Sequence, residues 1–325
     1  MPVCSIVIRA YNEEKHIGRL LSGITHQTVA DVQIILVDSG STDATVAIAR
    51  TYPVEVVSIR PQEFTFGRSL NLGVAAARAE RVVIASAHVY PVYPDWLERL
   101  IEPLDDPQIA LAYGKQRGAE TSHFSEHQVF QQWFPDHSVH RQPHPFCNNA
   151  NAAIRRALWE QQPYDELIPA LEDLDWARRA AAQGYGVSYV AEAEIIHVHQ
   201  ETWRGVYNRY RREGMAFKQI YPQEQFHFMD FWRLWRANVR ADWRAAARQG
   251  LWLREAGRIM RFRFSQFWGT YQGYRQSGPL TWPLKQAFYY PRPLAEQPPA
   301  PRPVEPIRYT APPVPKEDTP DDRPA

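Results

Sequence analysis

The first third of the chain alternates short apolar runs with segments of helical spacing, and this alternation restricts the fold more than any other feature. Residues 3–8 form an apolar run, residues 13–25 carry Ile17, Leu20, Leu21 and Ile24 at helical spacing, and residues 34–37 form a second run. Asp43 is placed to cap a helix over 44–50, after which the pattern predicts a strand over 54–59, a helix over 68–79 and a strand over 81–85. Repeated strand, helix, strand units predict an α/β fold with a mostly parallel, Rossmann-like sheet flanked by helices. Open sheets of that kind bind ligands at the carboxyl ends of their strands. Here the first strand runs into Ala10-Tyr-Asn-Glu-Glu14 and the second ends in Val37-Asp-Ser-Gly-Ser-Thr-Asp43, so both ends are acidic. No G-x-G-x-x-G follows the first strand, which argues against a dinucleotide-binding domain.

Composition narrows the class. With 44% hydrophobic and 22% charged residues in 325, the chain suits a globular enzyme with one large α/β domain and an appendage. The net charge of +1 argues against a wholly basic nucleic-acid binder, but it conceals a local asymmetry described below. Two cysteines, Cys4 and Cys147, provide neither a disulfide framework nor a Cys-rich zinc site, and a reducing compartment is expected. No run reaches the roughly 18 apolar residues that span a bilayer. The first strand begins almost at Met1. The expectation is a cytoplasmic chain, soluble or peripheral on the inner face of the membrane.

Beyond residue 115 the pattern changes twice. Pro135, Pro143 and Pro145 interrupt any long helix, 171–183 predicts a helix and 187–190 a strand; this half is expected to shape the site of a second substrate. Residues 201–290 hold seven of the eleven tryptophans, and 201–275 carry fifteen Arg or Lys against six Asp or Glu. Phe231, Leu234, Trp235, Asn238, Val239 and Trp243 fall near one helical face, with Arg233, Arg236, Arg240 and Arg244 beside or opposite it. Such a helix suits packing on the preceding domain or an anionic membrane surface. A single-stranded nucleic acid is a weaker option that nothing else in the chain supports. Residues 291–325 hold twelve of the 27 prolines and no apolar periodicity, which predicts a disordered tail. The expected division is a catalytic domain over 1–200, a basic Trp-rich helical extension over 201–290 and the tail.

Four segments then occur in a telling order: Ser5-Ile-Val-Ile-Arg-Ala-Tyr-Asn-Glu-Glu14, Val37-Asp-Ser-Gly-Ser-Thr-Asp43, Gly67-Arg-Ser-Leu-Asn-Leu-Gly73 and Glu172-Asp173. Each alone is weak, but together they resemble the successive motifs of family-two inverting glycosyltransferases with the GT-A fold, of the bacterial polysaccharide and rhamnosyltransferase kind. The resemblance covers about residues 3–200. It implies that Ala10, Asn12, Glu13 and Ser41 border a nucleotide, that Asp38 accepts a hydrogen bond from the base's ring nitrogen, and that Arg68, Asn71 and Ser86 line the nucleotide site. Without it, Asp38, Ser41 and Asp43 equally build a turn and a helix cap, and Arg68 with Asn71 a solvated helix start.

The chain departs from the family at the fourth strand. Where relatives usually carry Asp-x-Asp for a divalent ion bridging the diphosphate, this chain has Ser86-Ala-His88. Imidazole is a good ligand for manganese or zinc, while loss of the first carboxylate weakens a hard ion such as magnesium. His197 and His199 follow the last predicted strand, and in an extended segment both side chains point one way, so both can converge with His88. The metal ligands expected are His88 and His199 for Mn or Mg; the alternatives are ordinary polar loop residues, or a metal-free site in which histidines and arginines neutralise the diphosphate directly.

By the same resemblance Asp173 is the base that takes the acceptor's proton, with Glu172 and Asp175 supporting it and Arg178 and Arg179 as charge partners. A capped acidic helix start explains the three carboxylates as well. Asn148, Asn149 and Asn151 offer paired donors and acceptors for sugar hydroxyls, or stabilise an irregular loop. The function expected is inverting transfer of a sugar from a nucleoside-diphosphate donor to a glycan or lipid-linked hydroxyl. The alternative is a catalytically weak nucleotide- or carbohydrate-binding protein that kept the fold.

Overall fold

The computed structural model describes residues 1–276, so the predicted tail over 291–325 and the end of the predicted extension lie outside the described residues. The strands are β1 (Cys4–Ala10), β2 (Val32–Asp38), β3 (Val54–Ser58), β4 (Arg81–Ser86), β5 (Val89–Pro91), β6 (Ile109–Gly118), β7 (Asn151–Arg155) and β8 (Gly186–His197). They form one sheet in the order β3-β2-β1-β4-β7-β6-β8-β5. The β3-β2-β1-β4 half is parallel; β7 enters antiparallel to both β4 and β6, and β5 pairs antiparallel with β8. The predicted parallel sheet is therefore joined to a mixed second half.

The helices are α1 (Ile17–Thr25), α2 (Thr45–Ala49), α3 (Phe66–Ala75), α4 (Trp96–Ile101), α5 (Phe124–Trp133), α6 (Arg156–Gln161), α7 (Glu172–Ala182), α8 (Trp203–Ile220), α9 (Phe228–Arg248) and α10 (Trp252–Arg275). Alternate strand residues feed two cores because successive side chains leave opposite faces of a sheet. Ile6, Ile8, Ile34 and Leu36 join Leu20, Leu21, Ile48 and Trp96 from α1, α2 and α4 on one face. Val7, Ile35 and Val37 join Leu70, Val74, Phe130 and Trp176 from α3, α5 and α7 on the other. With both faces covered, the central strands read as continuous apolar runs, which is why periodicity located them. In β1 the sole residue short of full burial is Arg9, whose side chain turns toward the strand ends.

Sequence spacing placed elements better than boundaries. The helix predicted over 13–25 starts at Ile17, because residues 13–16 form a turn; the strand predicted over 187–190 runs on to His197. Asp43 does not cap α2 in the predicted manner, since the N-cap is Ala44 with no side-chain bond; its carboxylate accepts from the Thr45 and Glu14 amides instead and ties the first two loops together.

The α8 and α10 helices cross at glycines. A Cβ on Gly273 would lie 2.2 Å from the Arg211 carbonyl oxygen, and one on Gly269 would lie 2.5 Å from that of Tyr207. Backbone cannot yield as a flexible side chain does, so Gly273→Ala is expected to destabilise by about 1–3 kcal/mol through overpacking. Gly257→Ala on the same helix meets nothing within 4 Å and is expected to raise stability by up to about 1 kcal/mol. Urea midpoints of the two variants check the contrast. Midway along α10, Arg263 donates to both Asp242 oxygens (2.7 and 2.9 Å) and reaches the Ser125 carbonyl of α5. The inner faces of α9 and α10 are thereby fixed to α5, while Arg233, Arg236, Arg240 and Arg244 stay exposed as their spacing predicted.

Candidate active site

At the carboxyl ends of β1 and β4 lies a cleft of about 830 Å³. One wall is the loop after β1, a second the start of α7, and a third the segment from the end of β8 into α8. Ala10, Asn12, Glu13, Ser86, His88, Asn148, Asn149, Glu172, Asp173 and His199 all line it, although they come from five separate stretches of chain. A smaller cleft of about 600 Å³ elsewhere is lined by Lys115, Arg117, Asp136 and Glu194, whose charges pair with one another.

The loop after β1 is held by reciprocal bonds to the loop after β2. The Asn12 amide donates to Ser41 Oγ (2.9 Å), the Thr42 amide donates to Asn12 Oδ1 (2.8 Å), and the Glu13 amide donates to Thr45 Oγ1 (2.6 Å). Asn12 adopts a left-handed backbone (φ 53°), which asparagine tolerates better than most residues. Asp38 is buried at the end of β2, where its carboxylate accepts from the Gly40 and Ser41 amides at 3.2 Å. Asp38 and Ser41 thus stand just behind the wall that Ser39, Thr42 and Asp43 form.

Four further predicted residues lie off the cleft. Asn71 donates to the Tyr164 carbonyl and Glu166 and accepts from Trp159 Nε1 and the Tyr164 amide, so its amide is fully engaged. Arg68 pairs with Glu166 at 3.3 Å. Asp175 is buried against Arg178 and Arg179, at 2.9 and 2.7 Å, as their spacing predicted. Asn151 is buried inside the sheet, bonded to Lys115, Ala193 and Trp96, and does not line the cleft.

The two carboxylates at the start of α7 face the cleft in different settings. Leu171 precedes them in a left-handed conformation (φ 57°), a strained state for a leucine that costs on the order of 1–3 kcal/mol and turns the helix start inward. Glu172 pairs with Arg9 at 3.2 Å. Among the described residues Asp173 forms no ion pair; its Oδ2 accepts from the Asn149 amide (2.9 Å) and its Oδ1 from the Leu174 amide (2.8 Å). Burial, and then repulsion from Glu172, pushes the Asp173 carboxyl up to about 7, although the two amides and Arg9 favour its ionised form. Two of the four lone-pair positions remain for a donor in the cleft.

Across the cleft lie His88, His197 and His199. His88 Nδ1 bonds Glu13 Oε1 at 2.7 Å, His197 Nδ1 bonds Gln116 Oε1 at 2.8 Å, and His199 Nδ1 bonds Glu126 Oε1 at 2.7 Å. Burial lowers His88's affinity for a proton, but the Glu13 carboxylate outweighs it and raises the group above its ordinary value. His197 is held well below the ordinary value by burial and then by its histidine neighbours. Among the described residues two groups of three place ligand-capable atoms within 4.8 Å of one another: His88, His197, His199, and Glu126, His199, Glu201. The second is neutralised by Arg209, which reaches Glu126 at 2.6 Å and Glu201 at 2.7 Å. The first touches Arg209 only at its edge, where the guanidinium lies 3.4 Å from His199 Nδ1, and its three imidazoles fit a divalent ion.

The contribution of α8 was not legible beforehand. Gly205, Asn208, Arg209, Arg212 and Glu213 line the cleft, from a segment expected to serve packing or a membrane. Arg9 and Arg212 both lie against the Phe66 ring, 4.7 and 4.8 Å from its centre. The signal that pointed there was the density of arginines directly after His-Val-His.

Solved structures share this architecture. The mannosyltransferase PcManGT of Pyrobaculum calidifontis, in complex with GDP-Man and Mn2+, matches with a TM-score of 0.58 at 20% identity over 84% of each chain. TarS 1-349 of S. aureus, in complex with UDP-GlcNAc, matches with a TM-score of 0.52 at 15% identity over 90% of this chain and 93% of that one. The fold is that of the GT-A glycosyltransferases. In sequence, the O-antigen chain rhamnosyltransferase WbaN of Salmonella anatum is 27% identical over 235 residues, 66% of this chain and 72% of that protein; RfbN of Salmonella typhimurium is 26% identical over 224. Residues 5–161 match the family described as Glycosyl transferase family 2, and this region of the chain is a family-two glycosyltransferase domain.

Proposed function

We propose that the chain transfers a sugar, with inversion, from a nucleoside diphosphate to an acceptor hydroxyl in bacterial polysaccharide assembly, and that Asp173 is the base. The observation that carries the reading is the pair at the start of α7. A carboxylate paired with Arg9 stands beside one whose proton affinity lies near neutrality, the range a general base needs. The acceptor oxygen bonds to the anomeric carbon as the bond from that carbon to the diphosphate breaks. The hydroxyl proton passes to a free lone pair of Asp173, and the electron pair leaves with the diphosphate. Asn148 and Asn149 orient the sugar or acceptor at this wall, while Arg9, Arg209 and Arg212 place positive charge toward the diphosphate.

Asn12, Glu13, Ser41 and Asp38 seat the nucleotide, Asp38 as the acceptor for the base's ring N–H after its turn bonds loosen; Ala10 and Ser86 supply the floor. The distance of Arg68 and Asn71 from the cleft gives them the role of anchoring residues 164–166. When bound, a divalent ion at His88, His197 and His199 supplies charge that stabilises the departing diphosphate. The two named relatives are O-antigen chain rhamnosyltransferases, which favours a rhamnosyl group and a glycan-chain acceptor.

Titration calorimetry with UDP, GDP and dTDP, on the wild type and on Asp38→Ala, tests the donor half. One nucleotide should bind in the micromolar range and lose at least about tenfold in affinity, roughly 1.4 kcal/mol, in the variant. No binding of any nucleotide would remove the reading's main support. For the acceptor side, Phe228 and Met229 (74% exposed) at the start of α9 and Trp252 and Leu253 (90%) at the start of α10 are exposed at opposite ends of the helix pair, with the exposed arginines between them, which suits an anionic lipid surface. Flotation with phosphatidylglycerol vesicles, and no flotation with neutral ones, is the outcome expected.

A further inference from the structure

We infer that His88, His197 and His199 form a three-imidazole cation site, replacing the usual carboxylate pair, that selects a borderline transition ion of the zinc and cobalt type over magnesium. The inference rests on the proposed reading of the cleft and concerns the ion that accompanies its diphosphate.

Three features of the cluster carry it. The first is rigidity. Val89 pairs with His197 in the β5 and β8 ladder, and the Val198 amide donates to the His88 carbonyl at 3.0 Å, so the backbone itself sets the three rings side by side. Their centres lie 5.0 Å (His88 to His197), 3.9 Å (His197 to His199) and 6.0 Å (His88 to His199) apart. The second is orientation. Each Nδ1 is tied to a side-chain oxygen, of Glu13, Gln116 or Glu126, which leaves each Nε2 as the nitrogen on offer. A ligating histidine with its other nitrogen bonded to a carboxylate or amide oxygen is the arrangement that fixes tautomer and raises ligand basicity. The third is an orphan: His197 Nε2 is buried and bonds to nothing among the described residues. With its proton on Nδ1 facing Gln116, Nε2 is a lone-pair nitrogen without a donor, a costly state unless an ion occupies it.

The donor chemistry then decides the ion. Magnesium demands oxygen ligands in near-octahedral geometry, and imidazole offers it little. Zinc, cobalt and nickel bind imidazole well. His88 and His199 are partly exposed at the cleft, so an ion held by three nitrogens keeps open positions on the substrate side.

The test uses the full chain, freed of metal with chelator and titrated with Co2+, Zn2+ and Mg2+ without nucleotide, by calorimetry and by the visible absorption of Co2+. One Co2+ or Zn2+ should bind per chain, at least about a hundredfold more tightly than Mg2+, and His88→Ala should weaken Co2+ by more than the 10- to 100-fold expected for loss of an outer partner alone. Glu13→Gln should fall within that smaller range. His88 is partly exposed, so its variant is expected to fold, and its urea midpoint is measured alongside. Equal affinity for Mg2+ and Co2+, or Co2+ affinity unchanged in folded His88→Ala, overturns the inference. Nucleotide binding in chelator separates the two claims: retained without Co2+ binding, it sinks this site alone; absent while Co2+ binds, it sinks the nucleotide reading and leaves the site standing.

Discussion

An Asp173→Asn protein is expected to lose turnover by about two to four orders of magnitude, the usual contribution of a positioned general base, while keeping its affinity for nucleotide. The amide copies the shape of the carboxylate but keeps only one of its two bonds, because Oδ2 accepts from the Asn149 amide and Oδ1 from the Leu174 amide, so retained nucleotide affinity is what separates lost proton transfer from misfolding. The wild-type rate should rise with pH through about 7, where the Asp173 carboxyl gives up its proton. Stability should move the opposite way. Because this carboxyl's proton affinity is raised in the folded state, its contribution is fully present below the ordinary carboxylate range and is lost as pH rises through about 7. Relative to the wild type, Asp173→Asn, which never ionises, should therefore gain melting temperature from pH 4 to pH 8. Turnover within tenfold of wild type, or a rate independent of pH between 5.5 and 8.5, would remove Asp173 from the role.

The second large effect is on folding. Glu126 is almost fully buried, and Arg209 and His199 hold its carboxyl far below the usual carboxylate range against the cost of burial. Arg209→Met leaves Glu126 and Glu201 facing each other with no permanent cation, and an uncompensated buried charge of this kind costs about 3–5 kcal/mol. Arg209→Met combined with Glu126→Gln removes charge and partner together and should recover much of that loss. A double variant no more stable than Arg209→Met would contradict the ion-pair account of how α8 is fixed to the site. The coupling also explains why one helix serves both structure and site: the charges that seat α8 on α5 put Arg209 and Asn208 at the cleft.

What the chain spelled out in advance was what depends on neighbours in sequence. The ends of β1, β2 and β4 were legible because strands buried on both faces are unbroken apolar runs, and the loops that follow carry the polar residues. Glu172-Asp173 was legible as a helix start, and His-Val-His as two rings on one side of a strand. The long course of β8 was not, because Glu192 and Glu194 interrupt its apolar run, and only the pairing of Glu194 with Lys115 across the sheet makes such a residue compatible with burial. Asn71 was equally opaque: a motif gives its position, but only the fold reveals that Trp159, Tyr164 and Glu166 use up its amide. Periodicity likewise told which face of the C-terminal helices is apolar and not what that face meets. Glu126 lies in a stretch of unremarkable sequence, and its importance comes from a histidine 73 residues away and an arginine 83 away.

Proton NMR of the donor during turnover tests the central claim most directly. The donor is the nucleoside-diphosphate sugar whose nucleotide binds in calorimetry, and water or a glycan serves as acceptor. The account predicts that the first anomeric signal to appear has the configuration opposite to the donor's, and that Asp173→Asn abolishes it. A first-formed product with the donor's own configuration, or inversion that persists at wild-type rate in Asp173→Asn, would contradict it.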